Sequence, residues 1–285
     1  MGSVSERELQ KQIRQMAPFS ESAKQLLGLM EDPEHAIPDV IAVVEKDGPL
    51  TARVLRISNT SALAPPSPIE RLDHAVSYLG ERTVASAAVL QGCDAWLQTG
   101  LKGYLTGPTG LWAGGLQGAI AARLIAQESH AKVSPSLAYT GALLRDVGKA
   151  VLSPFLEGRV AGLMARVANG SVSDWLAAER EMLGVDHAQI GVRVAESFQL
   201  SPALTAVIEH HHAPSGAKAE FVDLVRIVHV ADAISSMTGG APSADAGLQP
   251  VSADDLANVG LDTDGLAGVI ATAVEEFQQA FESMH

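Results

Sequence analysis

A candidate reactive centre starts at Gly141-Ala142-Leu143-Leu144-Arg145-Asp146-Val147-Gly148-Lys149. An apolar run delivers a carboxylate, Asp146, and the pattern predicts a helix that stops at Gly148, followed by Lys149. Downstream come His187, the pair His211-His212, and Asp232, each on a segment of helical period. Carboxylates and imidazoles arriving from separate helices are what a metal-dependent hydrolase needs, and such ligands suit Fe, Mn, Zn or Ni without selecting one. The residue before Asp146 is Arg145, a fixed cation that cannot ligate a metal. A buried Asp146 must find a partner, either an ion or the neighbouring guanidinium and imidazoles. Asp232, within Val228-His229-Val230-Ala231-Asp232-Ala233-Ile234, poses the same question. In the run His210-His211-His212, the helical period aligns His211 with apolar Leu204, Val207 and Ile208 and puts His212 at i+4 from Ile208, so these two face inward and His210 faces solvent. His35, His74, His130, His229 and His285 read as ordinary surface, capping or core histidines.

The elements that must position these groups are helical almost throughout. Ser20-Glu21 starts one short amphipathic helix through Met30, and Pro38-Asp39 another through Val44. Asp47-Gly48-Pro49 places a proline at the first position of a third, closed by Asn59. Helices over Ile69–Leu79 and Arg82–Leu97 follow, parted by Gly80. Residues 99–110 read as a linker or inter-helix break. A long Ala-rich helix spans Leu111–Glu128, and Ser134-Pro135 starts the Asp146 helix. Further helices cover Leu156–Ala168, Ser173–Leu183, His187–Phe198, the segment from Ser201-Pro202 to His212, Phe221–Met237 and Leu261–Phe281. Residues 239–252 read as a mobile loop. No alternating strand pattern and no internal repeat is found. The expected fold is all-α: an N-terminal helical extension (1–17), a helical subdomain (18–98), a second helical bundle (107–238), and a loop with a C-terminal helix (239–285).

Composition narrows the class. Hydrophobic residues make up 47% and aromatics only 4%, so Ala, Leu and Val must fill the core, which suits closely packed helices. Net charge is −13, from 20 basic and 33 acidic residues, and no Lys/Arg cluster offsets it, which argues against nucleic acid as a partner. The single cysteine, Cys93, reads as a small core residue and fits a reducing compartment. The N-terminal stretch is polar, with no signal-peptide core, and no run is long enough to span a membrane, so a cytoplasmic protein is expected.

Several of these segments carry a family resemblance. Asp47-Gly48-Pro49-Leu50-Thr51-Ala52-Arg53-Val54-Leu55-Arg56-Ile57-Ser58-Asn59, then Ile69, Ala75 and Leu79-Gly80, resemble the first half of the HDOD domain, a bacterial signalling relative of the HD phosphohydrolases. Leu111-Trp112, the Gly141–Lys149 stretch, Leu183-Gly184-Val185-Asp186-His187 and Ile208-Glu209-His210-His211-His212-Ala213-Pro214 resemble its second half. The resemblance runs from about Pro18 to about Pro214. It implies that catalytic relatives place a His shortly after the tryptophan, where this chain has Ala113-Gly114-Gly115, and His-Asp where it has Arg145-Asp146. Of four primary-metal ligands, only Asp146 and Asp232 remain. The set resembling a second-metal site survives as Asp146, His187, His211 and His212.

The resemblance implies a non-catalytic regulatory domain with a degenerate site at Arg145, Asp146 and Lys149. It would act on other signalling proteins or on a nucleotide-type ligand, with the Pro65–Pro68 and 239–252 loops as candidate contact segments. No resident cofactor is expected, although the surviving set has room for a single divalent ion. The alternative is a metal-dependent phosphohydrolase for a nucleotide or cyclic dinucleotide, with Arg145 and Lys149 holding phosphate.

Overall fold

A computed structural model of the chain describes residues 4–16, 19–32, 34–59, 65–97, 100–107, 110–239, 244 and 251–284, with the backbone alone at 90, 92–97 and 282–284. Among these residues every regular element is a helix, as the periodicity predicts. In the N-terminal part α1 (Glu6–Gln15), α2 (Glu21–Glu31), α3 (Ile37–Val44), α4 (Gly48–Ser58), α5 (Leu72–Leu79) and α6 (Glu81–Leu97) follow one another. Their starts are written in local chemistry. Ser5, Ser20 and Asp47 each accept a bond from a first-turn N–H of α1, α2 and α4, the orphan donors of a helix start. Asn59 closes α4 and also clamps the next segment: its Nδ2 donates to the Ile69 carbonyl and its Oδ1 accepts from the Ile69 N–H.

The second part begins with α7 (Gly110–Glu128), which packs lengthwise on α8 (Pro135–Leu144), on α14 (Val222–Thr238) and on the C-terminal α16 (Thr263–Met284). Between them lie α9 (Val147–Leu156), α10 (Val160–Ala168), α11 (Trp175–Leu183), α12 (His187–Phe198), α13 (Pro202–His210) and the short α15 (Ala253–Asn258). Buried side chains from Leu9 to Ala273 form one continuous apolar core, built mainly of Ala, Val, Leu and Ile. Small residues allow this, because they let helix axes approach closely.

The structure departs from the sequence expectations in five places. The helix carrying Asp146 does not stop at Gly148. It stops at Leu144; Arg145 and Asp146 form the corner, and α9 starts at Val147 with Gly148 and Lys149 inside it. Gly148 is there for packing, since a Cβ would overlap the His187 carbonyl oxygen on α12. Residues expected as one helix over Leu156–Ala168 are split at Gly158, whose φ of +76° turns the chain. The expected linker at 99–110 contains a packed 3-10 turn, Lys102–Tyr104, with Tyr104 fully buried. His211 and His212 lie just past the end of α13 rather than within it. His210 is half-buried rather than solvent-facing. Most of the 239–252 loop, residues 60–64 ahead of Pro65, the Cys93 side chain and His285 lie outside the described residues. Ala244 is described; it is buried and its N–H donates to the Tyr104 carbonyl. Among the described residues no helix is long and apolar enough to cross a membrane.

Candidate functional site

Four elements converge on one point. The α8–α9 corner supplies Arg145 and Asp146, the first turn of α9 Lys149, the start of α12 His187, and the end of α13 His211 and His212. Each is placed by local chemistry. Ser134 caps α8, with Pro135 at its first position. Asp186 caps α12 through a reciprocal box with Gln189, which fixes His187 at the first helical position. The α9–α12 crossing is close because it is made through Gly148 and Gly191, and it brings His187 over Asp146.

One ligand atom each from Asp146, His187, His211 and His212 lie within 4.8 Å of one another. His187 Nε2 and His211 Nε2 both stand 3.6 Å from Asp146 Oδ1. Their other ring nitrogens are already engaged. His211 Nδ1 lies 3.0 Å from the Ile208 carbonyl, so it carries the proton and leaves Nε2 as a lone pair. That Nε2 is buried with no hydrogen-bond partner. His187 Nδ1 donates to Glu179 Oε2 at 2.8 Å. His187 Nε2 and His212 Nε2 are 2.8 Å apart, so one of them holds the proton between them.

Glu179, on α11, organises this wall. Its carboxylate is completely buried and accepts four bonds: Oε2 from the His187 N–H and Nδ1, Oε1 from the Tyr104 hydroxyl and the Trp175 indole N–H. Four donors saturate the acceptor sites of a carboxylate. Burial works against a charged His187, but the Glu179 charge and hydrogen bond outweigh it and hold the imidazole pKa above its ordinary value.

On the opposite side Arg145 is almost wholly buried. Its Nε donates to Asp232 Oδ1 at 2.7 Å and stands 3.3 Å from Asp146 Oδ2, while Nη1 donates to the Ala142 carbonyl at 2.7 Å. Gly118 on α7 makes its space, since a Cβ there would lie 2.6 Å from Nη1, and the Gly114 carbonyl faces Nη2. Lys149 Nζ stands 3.0 Å from Asp146 Oδ1. Burial alone would raise the Asp146 pKa; the Lys149 and Arg145 charges reverse this and hold it well below the usual carboxylate range. Two cations and two carboxylates thus balance before any ion is added.

Donor types decide what else would fit. One carboxylate and three imidazoles suit a single divalent ion, and the orphaned His211 Nε2 is a ready ligand. Such an ion would have to compete with Lys149 for Asp146 and with the shared proton for His187 and His212. Asp232 Oδ1 accepts from Arg145 Nε, and none of its oxygens joins the four ligand-type atoms. Asp232, counted with the metal-type residues from sequence, is therefore outside the cluster of four.

Sequence reasoning missed Glu179, Tyr104 and the part played by His229, whose buried Nδ1 donates to the His211 carbonyl at 2.7 Å. Glu179 had a legible signal. It lies four residues from Trp175 on the face that also carries Met182 and Leu183, and a carboxylate on an apolar helix face demands partners.

The HDOD domain family model matches residues 16–214. No curated protein matches the chain. Among solved structures, an HDOD domain protein of unknown function from Geobacter sulfurreducens superposes with a TM-score of 0.75 at 22% identity, covering 98% of this chain and 96% of that one. A protein of Marinobacter aquaeolei VT8, named as a candidate signal transduction protein, gives 0.74 at 19% identity over 96% of this chain but only 64% of the other, less than two thirds of its length. A Shewanella amazonensis SB2B protein, named as a candidate phosphohydrolase, gives 0.65 at 20% identity over 97% of both chains. At these identities the likeness is one of fold.

Proposed function

Because this chain belongs to the HDOD domain family, we propose that it is a non-catalytic signal-transduction domain, working in the cytoplasm through contact with other signalling proteins or with a small ligand. One observation carries the reading: Arg145 is seated between Asp146 and Asp232, where it holds both carboxylates in the interior. Hydrolysis of a phosphoester by metals needs ions to generate a nucleophile and to stabilise the developing oxyanion. A guanidinium supplies charge but no exchangeable coordination position. The corner is thereby a structural joint between α8, α9 and α14.

The orphaned His211 Nε2 favours a second reading, a single-ion phosphohydrolase acting on a nucleotide or cyclic dinucleotide. Asp146, His187, His211 and His212 would hold the ion, which would supply a Lewis acid and an activated water. Glu179 would keep His187 in the ligating tautomer, and Lys149 would be placed to meet a phosphate oxygen.

The test pairs two measurements on protein purified without chelator. Bound Mn, Fe, Ni and Zn are quantified, and a generic phosphodiester is offered with added Mn²⁺. The regulatory reading expects metal well below one equivalent and no turnover above that of Asp146→Ala. Stoichiometric metal, with turnover that Asp146→Ala abolishes, would replace it by the enzyme reading.

A further inference from the structure

Away from the Asp–His cluster, a cavity of about 550 Å³ opens where α6, α7, α8 and α16 meet. That size lies within the usual range for small-molecule sites, ~300–1,000 Å³. Its charged lining is two guanidiniums, Arg82 and Arg123, and two carboxylates, Glu81 and Glu276. The Tyr139 hydroxyl and Ser86 Oγ line it too, 3.0 Å apart. Leu79, Leu116 and Ile120 form an apolar wall.

These four charges differ in how they are paired. Arg123 is paired with Glu276 of α16. Glu81, also on the wall, is engaged by His35 Nε2 at 2.9 Å. Arg82 donates through Nε to Ser136 Oγ at 3.1 Å, and among the described residues no carboxylate lies within ion-pair distance of it. Burial, and then the like charge of Arg123, lower the Arg82 pKa from its ordinary value, although the charges of Glu81 and Glu276 act in the opposite direction. Arg82 also sits in the first turn of α6, where Gly80 has no side chain to cap the helix.

We propose that this cavity binds a phosphate-bearing small molecule. Its phosphoryl group lies between Arg82 and Arg123, its organic body lies on Leu79, Leu116 and Ile120, and Glu276 is the internal carboxylate it displaces. Charge selects phosphate over carboxylate. Two guanidiniums carry two positive charges, and a phosphate monoester carries about −1.5 to −2 at neutral pH, whereas a carboxylate would only repeat what Glu276 does. Arginine's planar fork suits bidentate contact with such an oxyanion. Displacing Glu276 would act on α16, which is otherwise fixed to α7 by Phe281 stacked on Trp112 at 5.7 Å. The proposal extends the small-ligand arm of the proposed function but stands on different residues. Its failure would leave the Asp–His corner untouched, and metal or turnover at that corner would leave this site untouched.

Calorimetric titration of the full chain with inorganic phosphate and with adenosine monophosphate tests it. Both probes should bind the wild type. Arg82→Gln should weaken them about tenfold or more, the loss expected for a charge-assisted bond. Glu276→Gln should tighten them by removing the competing carboxylate. Circular dichroism and melting of each variant establish that it is folded. Tighter binding of the nucleotide than of phosphate supports the organic body; equal affinities would overturn that half of the proposal. Absence of binding at millimolar concentration to both the wild type and a folded Glu276→Gln, or binding indifferent to Arg82→Gln, would overturn the whole.

Discussion

Glu179 shows what one buried charge does in this chain. Four donors from three elements meet on it, and through it His187 is held in one tautomer. Glu179→Gln keeps the shape but replaces one acceptor oxygen by an NH₂ group facing existing donors. We expect a loss of about 2–4 kcal/mol in unfolding free energy, measured in urea, because buried donors are left unpaired. Residue types and helical phase singled out Asp146, His187, His211, His212 and Asp232, the family resemblance grouped the first four, and the structure brings those four together. Arg145 as an interior partner of the acidic side chains was legible too, and it lies between Asp146 and Asp232. Its seat was not: the space beside Gly118 and the Gly114 carbonyl on α7 lies twenty-seven or more positions earlier.

At the level of elements, the close crossing of α9 over α12 sets the spacing of the cluster. Gly148 and Gly191 make it possible, and a methyl group at 148 has nowhere to go. Gly148→Ala should therefore destabilise by about 1–3 kcal/mol despite alanine's better helix propensity. Gly162→Ala in α10, where nothing lies within 4 Å of the new Cβ, is the control and should stabilise by roughly 0.5–1 kcal/mol. Chemical denaturation of the two variants side by side checks the contrast. In the sequence, Gly148 looked like a helix stop, since glycine is the common signal for one. Whether a glycine ends a helix or admits a neighbour depends on what packs there, and that is a long-range property. Caps were easier: Ser20, Asp47, Ser134, Asp186 and Ser201 all start helices where the pattern places them, because capping is decided within one turn.

For the molecule as a whole, titration and net charge place the stability maximum on the acid side of neutrality. Asp73, bonded by Arg71, has its pKa lowered to about 2, and hydrogen bonds bring Glu6, Glu8, Asp47, Asp174 and Asp255 down as well. Their contributions are present above the ordinary carboxylate range and are lost as pH falls through the lowered values. His35 moves the other way: its bonds to the Asp32 carbonyl and to Glu81 raise its pKa, so its contribution is complete below about 6.5 and fades as pH climbs through the raised value. Glu31, raised by burial, adds to the loss on the alkaline side, as does self-repulsion of a chain with net charge −13. Melting temperature against pH should peak between roughly pH 4.5 and 6.5, and His35→Gln should flatten the alkaline limb. A maximum at or above pH 8 would contradict this balance. The sequence by itself determined the all-helical class, the family, most helix starts and the ligand-type residues, because periodicity, caps and residue chemistry act over a few neighbouring positions. The tertiary structure alone decided that Arg145 is seated against Gly118 of α7, that Glu179 and Tyr104 back His187, and that Arg82 and Arg123 share a cavity. Apart from Glu179 and His187, which are eight positions apart, these are residues tens of positions apart, and only the packing of helices against one another sets such distances.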